Sequence, residues 1–283
     1  MRLHYAFPAG LIILIFMFLS CSTNITNSPY ETAVGGMRPI HANGVSFQMG
    51  GTYSADAMPV HTVSFRYDFW IDTTEVTQSS YYSLMGTNPS SFMGFGNRPV
   101  EKTTWFDAAL YCNERSKRDS LDTVYSYTGI SGIRGNGCTG LTGLAIDLSK
   151  SGYRLPTEAE WEYSCRAGTT TDYYWGSANE DAYIWYFVNS TSQTHPVATK
   201  LPNAWGLYDM NGNVAEWCND WYMSFTSEAQ TDPTGPDSSR ERCLRGGSWI
   251  DGMECVLSAY RVRDVPSYRT LGDVGFRCAR VQE

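Results

Sequence analysis

Apolar and polar residues alternate in two early stretches, VSFQMG (residues 45–50) and HTVSFRYDFWID (residues 61–72). A period of two marks strands buried on one face, so the folded part is expected to begin near Val45. The pattern then lengthens. Asp72-Thr73-Thr74-Glu75-Val76-Thr77 leads into a short helix reaching Met85, with Thr77 placed to cap it and Gly86 to end it. Asn88-Pro89-Ser90 reads as a turn. A second helix is predicted from Thr104, whose reciprocal capping partner is Asp107, to about Arg118. A third opens at the box Thr157-x-x-Glu160 and closes at Gly168, with Trp161 and Cys165, four apart, on the face turned to the core. Between these two helices, residues 121–150 show no period and read as a loop-rich insertion. CLRGGSW (243–249) and GFRCARV (275–281) read as terminal strands separated by loops.

Upstream of the first strand the chain changes character. Arg2 precedes an unbroken apolar run at residues 11–19, shorter than a comfortable membrane span, which runs into Phe18-Leu19-Ser20-Cys21. This resembles a bacterial lipobox, which would make Cys21 a lipidated N-terminus anchored by its acyl chains. A plain signal peptide or an uncleaved anchor is the alternative. Residues 22–43 are polar and rich in turn formers. The expected organisation is a lipoprotein-type signal segment at 1–21, a flexible tether at 22–43 and one domain at 44–283. The setting is the bacterial cell envelope, facing the periplasm or the cell surface.

Composition narrows the class of that domain. Only 18% of the 283 residues are charged, while Gly (26), Tyr (19), Phe (12) and Trp (9) are plentiful, which suits a loop-rich fold pinned by aromatics rather than a helical bundle. A formal charge of −8 and the lack of any Lys/Arg run argue against a nucleic-acid partner. The eight cysteines form no CxxC pair, and the four histidines are scattered, so no zinc site or Ser/His/Asp arrangement is visible. One stretch does suggest chemistry. In GLYDMNGNVAEWCNDW (206–221), Asp209 and Glu216 bracket the turn Asn211-Gly212-Asn213, whose residues readily adopt left-handed backbone angles that aim carbonyls inward. Two carboxylates with inward carbonyls can cage a hard cation such as Ca²⁺; a tight turn with solvated acids is the plain alternative.

GYRLPTEAEWEYSCRAG, PNAWGLYDMNGNVAEW, RGGSW and GFRCAR, in this order, resemble the formylglycine-generating enzyme family, also called the sulfatase-modifying factor family. The resemblance covers residues 45–281. It implies an irregular α+β fold of C-type-lectin-like character, low in regular secondary structure and loop-rich, with bound calcium. Carried over by position, the calcium ligands would be the Asp209 and Glu216 side chains and the Gly212 and Val214 carbonyls. The resemblance also implies a disulfide between Cys112 and Cys278, which by chain entropy would stabilise by roughly 4–5 kcal/mol. A further family bridge uses Cys165, whose partner position here is Val262.

Family enzymes oxidise a sulfatase cysteine to formylglycine with O₂ and copper held by two cysteines, which follow RGGSW two and seven residues after its tryptophan. Copper(I) prefers soft thiolates. This chain reads RGGSW-IDGMECVLSAYR, with Asp251 at the first position and Cys255 displaced from the second. Ser248, Trp249, Asp251 and Cys255 therefore mark a degenerate site at which copper is not expected. The leading expectation is an envelope-anchored, non-catalytic binding or assembly module whose partner is an envelope protein, peptide or glycan. The alternative is a formylglycine-generating oxidase.

Overall fold

The computed structural model describes residues 35–94, 96–269 and 271–282, and its three α-helices form where their caps stand. In α1 (Gln78–Met85) the Thr77 hydroxyl accepts the Ser80 N–H at 3.2 Å, and Gly86 ends the helix at φ 71°. Helix α2 (Trp105–Arg118) opens on the reciprocal box of Thr104 and Asp107. Helix α3 (Glu158–Arg166) opens on that of Thr157 and Glu160, and its left-handed stop is Ala167 at φ 45°, one residue before the expected Gly168.

Strands begin earlier than the alternation suggests. Strand β1 (Met37–Ile40) pairs antiparallel with β4 (Phe69–Asp72), so the expected tether over 22–43 already contains folded chain. Pro39 is tolerated there because β1 is the edge of the sheet ordered β1-β4-β14, where β14 is Ala279–Val281. Strands β2 (Ser46–Met49) and β3 (His61–Ser64) pair as the alternation requires, with β10 (Gln230–Thr231) parallel on the far side of β3. The insertion at 121–150 is not merely loop. It folds as nested ladders, β5 (Tyr125–Ser126) with β8 (Ala145–Ile146) around β6 (Gly129–Gly132) with β7 (Cys138–Thr142).

The central sheet runs β12-β11-β9-β13, from β9 (Ala215–Trp221), β11 (Arg242–Arg245), β12 (Arg261–Asp264) and β13 (Val274–Gly275). Its spine β9 is buried at six of seven positions. A strand covered on both faces has no reason to alternate, which is why the sequence pattern hides it. Trp105, Trp161 and Trp217 are fully buried around this sheet, and each indole N–H finds an acceptor: the Cys218 carbonyl, Glu216 and the Thr103 carbonyl.

Buried charge is as prominent as buried carbon. The alternate glutamates at the start of α3 each meet a guanidinium: Glu158 that of Arg261, Glu160 that of Arg154, and Glu162 those of Arg166 and Arg245. Arg115–Asp72 and Arg277–Glu216 complete the buried ion pairs. Such pairs roughly balance their desolvation while both partners are present, and become costly when one is removed. The result is the mixed α+β, loop-dominated architecture that the composition suggests. Among the described residues no helix is long and apolar enough to cross a membrane; Cys21 and the apolar run before it lie outside those residues.

Candidate functional site

The two segments singled out in the sequence are neighbours in space. The loop entering β9 and the loop leaving β11 are tied by the Gly212 N–H on the Gly246 carbonyl at 3.0 Å and the Trp249 N–H on the Asn213 carbonyl at 2.9 Å. Asp209 (φ 52°), Gly212 (φ 75°) and Asn213 (φ 57°) adopt the left-handed angles expected of that turn. At Gly212 the space is also closed, since a Cβ would stand 2.4 Å from the Trp185 carbonyl oxygen.

What faces this loop is a guanidinium. Arg277 donates from Nε and Nη2 to both carboxylate oxygens of Glu216 at 2.7–3.0 Å, while the Trp161 indole donates to Oε2 at 2.8 Å. Nη2 also reaches the Tyr208 carbonyl (2.9 Å), and Nη1 reaches that of Asp72 (3.0 Å). Asp209 accepts the Ala198 N–H at 2.7 Å. A third buried acid, Glu75, accepts from the Val214 N–H at 3.2 Å and from the Asn213 amide at 2.9 Å. Three buried carboxyls therefore act on one guanidinium, Glu216 by direct contact and Glu75 and Asp209 through space. Burial raises Glu75 well above the usual carboxylate range, with Asp209 and Glu216 adding to it, and burial raises Asp209 to about 6. Sequence reasoning missed Glu75 because a glutamate in TTEVT carries no local sign of burial.

The cation already against the Glu216 carboxylate, the side chain expected to coordinate calcium, is Arg277. A strong chelator is accordingly expected to leave the melting temperature of the purified chain unchanged. A clear drop on chelation, restored by added Ca²⁺, would show that Arg277 yields its place to the ion.

The RGGSW loop beside it is organised by Asp251. One Asp251 oxygen accepts from both the Ser248 N–H and its hydroxyl, each at 2.8 Å. Trp249 is 8% exposed, donates its indole N–H to the Gly272 carbonyl at 2.9 Å, and is met edge-on by Phe92 at 5.2 Å. Cys255 shares a hydrogen bond with the Tyr260 hydroxyl; burial pushes its thiol up, and the carboxylates of Asp251 and Glu254 push it further. It is therefore a protonated thiol at neutral pH, a weak nucleophile and a weak metal ligand. Ser248, Trp249, Asp251 and Cys255 do converge, but they contribute one thiol and one hard carboxylate.

Aromatic loops border this place. The Phe187 N–H donates to the Asp251 carbonyl at 3.0 Å, and the Tyr173 hydroxyl to that of Met253 at 3.0 Å. Tyr173, Trp175 and Tyr183 stack on one another at 4.8 and 5.7 Å and so spend their faces internally. Phe187 (65%), Val188 (72%) and Ile250 (40%) are left exposed.

Comparison with known proteins accounts for this layout. Residues 31–282 match the sulfatase-modifying factor enzyme 1-like domain. The chain belongs to this family. It is 35% identical over 216 residues to the chaperone protein LppX of Paenibacillus barcinonensis, covering 68% of this chain and 73% of that one. It is 32% identical to the mouse formylglycine-generating enzyme, over 67% of this chain but only 46% of the enzyme. Among solved structures, the Treponema denticola variable protein 1 superposes with a TM-score of 0.77 at 35% identity, covering 89% of this chain and 99% of that one. The irregular, C-type-lectin-like α+β fold expected from the motifs is thus the fold of the family member described here.

The two cysteine pairings that the resemblance implies meet different surroundings. Cys112 and Cys278, the pair expected to be bridged, are buried side by side with their sulfurs 3.6 Å apart. Cys165 is buried against the Asn211 amide oxygen at 3.3 Å, whereas Val262 stands 36% exposed on β12.

Proposed function

We propose that this chain is a non-catalytic binding module of the sulfatase-modifying factor family, anchored to the bacterial envelope through Cys21, whose partner is a peptide segment of another envelope protein. The observation that carries the reading is the Asp251 carboxylate, hydrogen-bonded to Ser248 where the family's first catalytic thiolate belongs, beside a Cys255 thiol that its neighbours keep protonated. A hard carboxylate and one neutral thiol are a poor seat for copper(I). Around that seat the exposed Phe187, Val188 and Ile250 offer apolar contact on loops held by a rigid scaffold. The relative named as a chaperone gives the same direction, since a chaperone works by holding another chain.

The test is direct. Incubated with copper(I), O₂ and a cysteine-containing sulfatase peptide, the purified chain should yield no aldehyde by mass spectrometry. A photo-crosslinker at Phe187 should give a discrete protein adduct in intact cells that is lost with Ile250→Asp. Aldehyde above the protein-free control would restore the oxidase reading. Absence of any Phe187 adduct would remove the binding one.

A further inference from the structure

Seven arginines are buried among the described residues, and six of them face a carboxylate at ion-pair distance. Arg242 is the exception. It is 2% exposed, its Nη1 donates to the Asn219 carbonyl, and its Nε has no acceptor. Its guanidinium lies between two indoles, 3.9 Å from the Trp105 ring centre and 3.6 Å from that of Trp221. Ring faces stabilise a cation but satisfy no N–H. Asp220 acts on Arg242 through space, yet burial raises Asp220 to about 8, so at neutral pH it holds its proton and brings no counter-charge. Burial lowers Arg242 to about 10, which leaves it charged at neutral pH.

This cation lines a cavity of about 740 Å³ where β9 and β11 meet the hairpins of the insertion. Leu141, Leu144, Ile146 and Leu148 from β7, β8 and their flanks form one wall, with Phe106 of α2 beside them. Asp237 lines it as well, from an exposed loop, and makes no ion pair with Arg242. The volume lies within the ordinary range of ligand sites, about 300–1,000 Å³. An apolar wall and one uncompensated buried guanidinium define a complementary ligand, with an aliphatic chain at one end and an anion at the other.

We propose that this cavity is a binding site for an aliphatic carboxylate, whose chain lies along Leu141, Leu144, Ile146 and Leu148 and whose carboxylate pairs with Arg242. The site is separate from the Asp251 loop and does not depend on the function proposed there.

Decanoate, decanol and acetate titrated into the whole chain test it, read by calorimetry and by the fluorescence of Trp105 and Trp221, which bracket the guanidinium. Decanoate should bind at least ten-fold more tightly than decanol, and acetate should bind too weakly to measure. Arg242→Gln should erase the preference for decanoate over decanol. Leu148→Ser, at a half-buried position on the cavity wall, should weaken decanoate several-fold and keeps the test usable if the arginine variant does not fold. Equal binding of decanoate and decanol, no decanoate binding up to about 1 mM, or decanoate affinity unchanged in Leu148→Ser would each overturn the proposal.

Discussion

Arg277→Met should be among the most damaging single substitutions in this protein, with a loss of 3–5 kcal/mol. For a domain of this size that corresponds to a fall in melting temperature of roughly 10–15 °C. The guanidinium pairs with both oxygens of Glu216 and also binds carbonyls of Tyr208, Asp209 and Asp72, so it fastens the loop before β9 to the end of β4. Removing it leaves Glu216 beside Glu75 and Asp209 with no cation and several carbonyls unsatisfied. The double variant Arg277→Met/Glu216→Gln should recover part of the loss, because the stranded negative charge goes with the pair. Thermal unfolding of the three proteins decides the matter. If Arg277→Met melts within a few degrees of the parent, or the second substitution gives nothing back, the ion pair is not what holds this loop.

That cluster also shows where sequence reading stops. Thr77, Thr104 and Thr157 were legible as caps because capping is settled within four residues. The order of the motifs was legible too, and with it the family. Glu216 was visible as a carboxylate beside a glycine turn, the usual look of a cation loop. Its partner Arg277 is 61 residues further on and Glu75 far upstream, so only the fold shows that the loop encloses a guanidinium. Strand β9 escaped because it is buried on both faces, and β1 because four residues including Pro39 are too few to show a period. In the insertion, strands of two to five residues rich in glycine leave the same silence. The loop after RGGSW is the opposite case. Asp251 was named from its offset after RGGSW, and the structure adds the reason it stays: the carboxylate ties Ser248 and closes the loop.

The unusual number of buried acids gives the protein a pH dependence of its own, with stability greatest near pH 5 and declining toward pH 8. Burial raises Asp220 from 3.8 to about 8 and Glu101 from 4.5 to about 7. Below the unfolded values both states hold the proton and these groups make no difference. As pH rises past 3.8 and 4.5 the unfolded chain ionises while the folded one stays neutral, so each step in pH favours unfolding until the folded values are passed. Each such group can change stability by at most about 1.4 kcal/mol per pH unit. The opposing groups act elsewhere on the scale. Asp119, held down first by Arg118, and Glu158, held down by Arg261 and Arg245 against its burial, withdraw their stabilisation only as pH falls below the ordinary carboxylate range. Asp220→Asn isolates the main contributor. Its amide oxygen can still accept the Glu158 N–H that the carboxylate accepts at 3.0 Å, and it has no proton to lose. This variant should melt roughly 5 °C above the parent at pH 8, a gain of about 2 kcal/mol, and show little difference at pH 4.5. A parent whose melting temperature is flat or rising between pH 5 and 8, or a variant with the parent's slope, would mean that Asp220 ionises without cost inside the fold. The desolvation argument would then fail at a buried residue to which the guanidinium nearby, that of Arg242, offers no ion pair.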